Sequence, residues 1–324
     1  MVTDDQILEA LPKVLKTTDF NFGEKFVGKV RDTYILEDGR RIIVTTDRQS
    51  AFDYVLGEIP FKGAVLNQLA AFWFEETSDI VSNHLISVPD PNVSIVKSCT
   101  GIPIEMIVRG YISGVTNTSI WGSYQKGERK IYGIEFPEGL KKNQKLTEPV
   151  ITPTTHGDLT GNGGHDERLT RDQILNSDLV DKEIYLQMEK AAIALFKRGS
   201  EIALKQGLIL VDTKYEFGII DGQLVLMDEI HTPDSSRYWK ADSYQERFDK
   251  GEEPENFDKE FLRLWYAEQG YKGDGEPPKM SEELIVALAK RYVEVYEMLT
   301  GEIFEAFDYP IEERIEKNIT EALS

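Results

Sequence analysis

The chain has 324 residues, with 37 Lys and Arg against 57 Asp and Glu, for a formal net charge of −20. So large an acidic surplus excludes a surface built to wrap nucleic acid, which needs Lys and Arg to neutralise phosphates. The 40% of hydrophobic residues equally excludes a disordered polyanion, and the length suits about two domains.

Thr3-Asp4-Asp5-Gln6 offers a cap and first-turn acids, and Ile7, Leu8, Leu11, Val14 and Leu15 follow at helical spacing, so a short first helix is predicted. Residues 25–34 and 40–46 are rich in β-branched and aromatic side chains around Glu37-Asp38-Gly39, which predicts an antiparallel hairpin. Next come a helix over 64–77, strands over 84–88, 93–98 and 104–112, and a short helix over 116–124. Residues 147–170 carry Pro steps and the run from Gly157 to Gly164, and read as one long loop. A long amphipathic helix is expected from Thr170 or Asp178 to Gln206, stopping at Gly207. Strands over 208–218 and 223–230 then flank Asp221-Gly222. Beyond them Phe261, Leu262, Leu264, Trp265, Leu284, Leu288, Tyr292, Val295 and Leu299 recur at helical spacing. A boundary near Val108 separates a sheet lobe, 1–108, from an α+β lobe, 109–324.

In the strand Leu210-Val211-Asp212-Thr213-Lys214-Tyr215-Glu216-Phe217-Gly218, alternation places Asp212, Lys214 and Glu216 on one face. Three charges there are costly to bury unless they bind something, although a solvated face with an intrastrand ion pair has the same pattern. Asp228, at the end of the next strand, is the natural partner of Glu216 for a shared Mg²⁺, an ion that takes one or two protein carboxylates and phosphate oxygens. A two-residue loop at Asp221-Gly222 would pair Tyr215 with Asp228 and turn Asp228 to the wrong face. The shared site therefore requires a three-residue loop or a bulge. The four histidines, at 84, 156, 165 and 231, have no metal-ligand spacing and read as surface or loop residues.

LVDTKYEFG followed by MDEIHTPDSSRYW resembles the signature of the SAICAR synthetase family. Gly28-Lys29-Val30-Arg31-Asp32-Thr33-Tyr34, Thr46-Asp47-Arg48-Gln49-Ser50-Ala51-Phe52-Asp53 and Ile102 to Tyr111 are similar to further family segments, in family order. The resemblance implies a two-lobed α+β fold related to ATP-grasp, with antiparallel sheets, packed helices and a helical C-terminal region. It also implies an ATP- and Mg²⁺-dependent condensation of carboxyaminoimidazole ribonucleotide with L-aspartate.

On that footing Lys29 and Arg31 contact ATP, the strand containing Glu105 and Met106 offers backbone groups to adenine, and Glu216 and Asp228 hold the metal. Lys214, Asp212 and Arg237 are the catalytic candidates. Arg109, Ser113, Asp212, Asp234, Ser236, Arg237 and Arg263 are candidates for holding the imidazole nucleotide, Arg being well shaped for bidentate phosphate contact. Where the family usually has a Gly-Ser pair, this chain has Ser113-Gly114-Val115, so another hydroxyl must replace the missing serine. A small-molecule kinase on a related two-lobed scaffold is the alternative, since Lys29, Glu216 and Asp228 would serve any ATP–Mg²⁺ reaction.

Cys99 is the single cysteine, which favours a reducing compartment. The start MVTDDQILEALPKVL has no basic leader, and no apolar run approaches the roughly 20 residues of a membrane span, so a cytoplasmic protein is expected. Residues 241–324 hold 22 acidic and 10 basic residues, so −12 of the −20 lies there. A positive cleft in an acidic shell is therefore expected, with the C-terminal helices supplying solubility more than chemistry.

Overall fold

The computed structural model describes residues 2–52, 54–114, 118–157, 166–257, 259–271, 273 and 275–324. Val115, Thr116, the glycine run at 158–164 and His165 lie outside them. The first helix, α1 (Asp4–Ala10), is closed by a Thr3–Gln6 capping box. The segment expected as one strand over 25–34 is two, β1 (Glu24–Val27) and β2 (Arg31–Ile35), because the chain reverses at Lys29-Val30 with Val27 facing Asp32. The β-branched residues carry the strand signal straight through a hairpin tip.

Strands β3 (Arg40–Thr45), β4 (Arg48–Ala51) and β5 (Tyr54–Glu58) follow, then α2 (Lys62–Glu76), β6 (Leu85–Asp90) and β7 (Val93–Lys97). A five-stranded antiparallel sheet runs β1-β2-β3-β7-β6. The second sheet, of seven strands, is centred on β9 (Ile104–Ile112) and β14 (Leu208–Ile220). Around them lie β8 (Thr100–Gly101), β12 (Gln144–Ile151), β13 (Thr154–Thr155), β15 (Gln223–Met227) and β16 (Ser236–Lys240), with the small hairpin β10 (Lys130–Ile131) and β11 (Ile134–Glu135) outside. The stretch read as a loop over 147–170 is thus partly sheet: β12 and β13 both pair with β9. Position 108 falls inside β9, so this strand passes from one proposed lobe to the other without a break.

Helix α3 (Ile120–Gln125) is short, and the long helix begins only at Asp181, whose carboxylate caps it, so α4 (Arg171–Leu175) is separate from α5 (Lys182–Lys205). Next to β16 come α6 (Ala241–Lys250), α7 (Glu260–Glu268), α8 (Glu282–Thr300) and α9 (Glu312–Leu323). One apolar cluster joins Tyr34 and Ile42 of the first sheet, Trp73 of α2, Tyr215 and Phe217 of β14, Leu195 of α5, Leu288 of α8 and Ile315 of α9. The expectation that the C-terminal helices mainly confer solubility is therefore corrected. Their outer faces are acidic, but their inner faces are core.

Asp47 ties distant segments together. Its carboxylate accepts from Leu15 N at 3.0 Å, Gly63 N at 3.0 Å and Tyr309 Oη at 2.8 Å. A Cβ on Gly63 would meet the Thr45 carbonyl oxygen at 2.3 Å, so glycine lets α2 begin against β3. Burial pushes the Asp47 carboxyl up to about 6 from 3.8. The folded pKa is raised, so the folded state holds the proton more tightly, and stability contributed at this site falls as pH rises from about 4 to about 6. Asp47→Asn should remove that slope. The stability of the native protein relative to the variant should fall by up to about 3 kcal/mol across this window, by urea melts at each pH. Parallel pH profiles would refute the assignment.

Candidate active site

The turn Lys29-Val30 hangs over the mouth between the two sheets, and Arg48 of β4 holds it there. Arg48 donates through Nε to the Lys29 carbonyl at 3.0 Å and through Nη2 to the Gly28 carbonyl at 3.1 Å and to Asp32 at 2.9 Å. Arg48 adds no charge to the cleft; it is a buried brace. Beneath the turn is a cavity of about 560 Å³ lined by Lys29, Arg31, His84, Glu105, His156, Lys214, Glu216 and Asp228 among others.

In the cavity floor Lys214 donates to Glu105 at 2.8 Å and to Glu216, while His156 Nε2 lies 3.4 Å from Glu216. Burial opposes the charge on Glu216, but Lys214 and His156 outweigh it and hold the carboxyl well below the usual range. Burial likewise works against the Lys214 ammonium, and Glu216 and Glu105 more than restore it. Glu105 is raised by burial, and His156 is raised by its hydrogen bond to Glu216. Glu105, His156 and Glu216 bring ligand atoms within 4.8 Å of one another, a cluster able to hold a metal ion.

The hairpin register contradicts the expected bulge. Ile220 faces Gln223 and Glu216 faces Met227 in an unbroken ladder over a two-residue Asp221-Gly222 loop. A ladder continued by one residue would have sent Asp228 to the opposite face, so the register-based argument for a shared site fails. Asp228 reaches the cleft by another route: the strand ends at Met227 and Asp228 adopts a left-handed φ of 65°. There it pairs with Arg31, whose second nitrogen lies 2.9 Å from Glu229. Burial, reinforced by Glu216 and Glu229, pushes the Asp228 carboxyl up to about 6.

The adenine expectation for β9 meets a physical obstacle. Ile107 and Val108 have ladder partners on both sides, and the Met106 side chain is in the core. Glu105 alone of the two named residues lines the cavity.

The remaining predicted residues form two adjoining clusters, joined to the cavity by the segment from Asp228 to Arg237. In the first, Asp212 Oδ2 is shared by Arg109 at 3.1 Å and Arg237 at 3.2 Å, all three largely buried. Arg109 also donates to Thr152 Oγ1 at 2.8 Å. Burial lowers the Arg109 pKa, with Asp212 opposing and Arg237 adding to the effect. Gly114, with φ 85°, packs so closely that a Cβ would lie 2.9 Å from the Arg237 guanidinium. Ser113 is instead engaged with Asn143 at 2.9 Å, and Ser236 with Thr213 at 2.8 Å. Arg263 pairs with Glu260 at 3.3 Å, and Glu260 also lies 3.9 Å from Arg237.

The second cluster gathers on Asp234. Lys62 lies 2.9 Å from it, Lys259 3.3 Å, and Tyr292 Oη donates to it at 2.6 Å. Lys62, Lys259, Tyr292, Gln49 and Thr152 carry no separate signal as site residues; Lys62 lies in an apolar helix start and Tyr292 reads as core. The histidine reading is also corrected: His84 and His231 are buried, and His156 is half-buried at the cleft. Burial pushes His84 down to about 4 and His231 down to about 3, so both are neutral near pH 7.

The cavity is less positive than expected. Lys29, Arg31, Arg41, Lys97 and Lys214 face Glu105, Asp166, Glu216 and Asp228, which is five cations against four anions among the described residues. An anionic ligand would thus depend on a bound cation for much of its neutralisation.

The family model for SAICAR synthetase matches residues 25–279. The chain is 54% identical over 314 residues to phosphoribosylaminoimidazole-succinocarboxamide synthase of Legionella pneumophila strain Paris, covering 95% of this chain and 98% of that protein. It is 50% identical to the same-named protein of Bacteroides fragilis, again over 95% of this chain and 98% of the relative. Among solved structures it resembles the SAICAR synthase of Saccharomyces cerevisiae complexed with SAICAR, with a TM-score of 0.77 and 32% identity over 90% of this chain and 100% of that one. No helix among the described residues is long and apolar enough to cross a membrane.

Proposed function

Because the chain belongs to the SAICAR synthetase family and is a ligase of purine biosynthesis, we propose that it uses ATP to join carboxyaminoimidazole ribonucleotide to L-aspartate. The products are SAICAR, ADP and phosphate. The observation that carries this reading is the continuity of the Lys214–Glu105–Glu216 cavity with the Arg109–Asp212–Arg237 cluster along β14. The first suits polyphosphate and the second an anionic nucleotide.

A carboxylate is a poor electrophile, so its oxygen first takes the terminal phosphoryl group of ATP, and ADP leaves. The aspartate amine then attacks the acyl phosphate, releasing phosphate as the amide forms. Phosphoryl transfer is catalysed mainly by positioning and by neutralising charge. Lys29 and Lys214 supply fixed positive charge on opposite walls of the cavity. Arg31, paired with Asp228 and Glu229, lines the same cavity and would share its anions with a bound cation.

Glu105 and Glu216, in one cluster, with Asp228 lining the same cavity, suit a hard divalent cation, since Mg²⁺ prefers carboxylate oxygen to imidazole. These residues would hold Mg²⁺, which supplies neutralisation of the phosphate oxygens when bound. Arg109 and Arg237, fixed by one carboxylate, would grip the phosphoribosyl end. That buried pair disfavours the kinase alternative, whose acceptor hydroxyl needs a base in its place.

The test is ADP release with ATP, Mg²⁺, the carboxylated ribonucleotide and L-aspartate, omitting each in turn. Amide formation should require all four. ADP formation that needs no aspartate and yields no amide would overturn the ligase reading.

A further inference from the structure

The Asp234 cluster has a charge imbalance that the reactions at the cavity do not use. Lys62 is fully buried and donates to the Arg48 carbonyl at 3.1 Å as well as lying 2.9 Å from Asp234. This pair alone neutralises the carboxylate. Lys259, preceding α7, is a second ammonium on the same oxygen, 3.3 Å from Asp234 Oδ2 and 3.2 Å from Ser50 Oγ. Tyr292 from α8 donates to the other oxygen of Asp234 and lies 3.0 Å from Gln49 Oε1. Among the described residues, two lysines share this one carboxylate, and Glu229, the other anion acting on Lys259, is paired with Arg31, so the site carries an excess of positive charge in a poorly solvated place, a costly arrangement without a further anion.

We propose that Lys259, with Ser50 beside it, recognises a carboxylate of the acceptor amino acid, and that the buried Lys62–Asp234 pair is the fixed base on which it stands. Access is one-sided: Lys259 keeps 13% of its side chain exposed whereas Lys62 keeps none. Burial, with Lys62 and Arg263 nearby, lowers the Lys259 pKa, and Asp234 and Glu229 oppose this without restoring it. Position agrees as well. The Lys214 amide donates to the Ser235 carbonyl at 3.1 Å, so the residue after Asp234 abuts the catalytic strand. An amino acid held at Lys259 would therefore lie beside the carboxylate activated near Lys214. Asp234 and Tyr292 orient Lys259 and are positioning residues rather than ligands of the acceptor. The inference rests on the ligase reading above.

The experiment is steady-state kinetics of Lys259→Gln and Lys259→Arg, with Tyr292→Phe as a control for positioning and melting temperatures to verify folding. Lys259→Gln should raise KM for L-aspartate about ten- to a hundred-fold and leave KM for ATP and for the ribonucleotide within about two-fold. Lys259→Arg should recover much of the loss. Discrimination between L-aspartate and L-asparagine should narrow in Lys259→Gln, because the recognised negative charge no longer has its partner. A rise confined to the ribonucleotide KM would assign Lys259 to that substrate and overturn the proposal, as would an unchanged aspartate KM. If native protein makes no aspartate-dependent product, the ligase reading itself has failed, which is a distinct outcome.

Discussion

Glu216→Gln should lower kcat by about a thousand-fold or more with little change in melting temperature. The side chain keeps its volume, and its amide oxygen still accepts from Lys214 or His156, so the floor of the cavity stays packed. What disappears is a buried negative charge that Lys214 and His156 hold ionised far below the usual carboxylate range. Without it the cavity loses one of the carboxylates proposed to hold Mg²⁺, while Lys214 keeps its pairing with Glu105. The check is ADP release against Mg²⁺ concentration. The variant should need far more Mg²⁺ and should not regain native kcat at saturation. A variant with native turnover and native Mg²⁺ dependence would remove Glu216 from the metal assignment.

Asp212→Asn should have the largest effect on stability, because Asp212 is the carboxylate that Arg109 and Arg237 share. Removing the charge leaves two guanidiniums facing each other in a buried site, and breaking a buried ion pair costs about 3–5 kcal/mol. The contact between Arg237 and Glu260, at 3.9 Å, is too long to compensate. The melting temperature should fall by several degrees, and the loss should be partly reversed by the ribonucleotide, whose phosphate supplies the missing anion. Thermal melts with and without ribonucleotide test both parts. If the nucleotide stabilises the variant no more than the native protein, the arginines do not bind its phosphate.

Much of the candidate site is legible in the residues of β14, since alternation alone places Asp212, Lys214 and Glu216 on one face, and all three sit in the buried charge clusters. The hairpin shows where such reading stops. Register arithmetic correctly excludes Asp228 from that face in a regular ladder, yet Asp228 enters the cleft because its φ is positive, which periodicity does not encode. The Lys29-Val30 reversal is hidden for a related reason: β-branched residues on both sides signal strand, while the turn is stabilised by Arg48 from β4. Lys62 and Tyr292 are invisible because each sits in a helix at a core-like position. Their polar ends matter only because Asp234 arrives from far along the chain.

What the sequence determined by itself is the chemistry available: the strand alternation, the motif order that identifies the family, the acidic C-terminal quarter and the α+β class. These follow from local periodicity and residue type. The tertiary structure alone decided which charges meet. Pairing of Arg31 with Asp228, Arg109 with Asp212, and Lys62 and Lys259 with Asp234 joins residues 25 to nearly 200 positions apart. Such contacts depend on how sheets and helices pack, and burial then sets which groups stay ionised. The acidic surplus says little about the cleft, because net charge sums over the whole chain whereas binding responds to the few charges held together in a low-dielectric site.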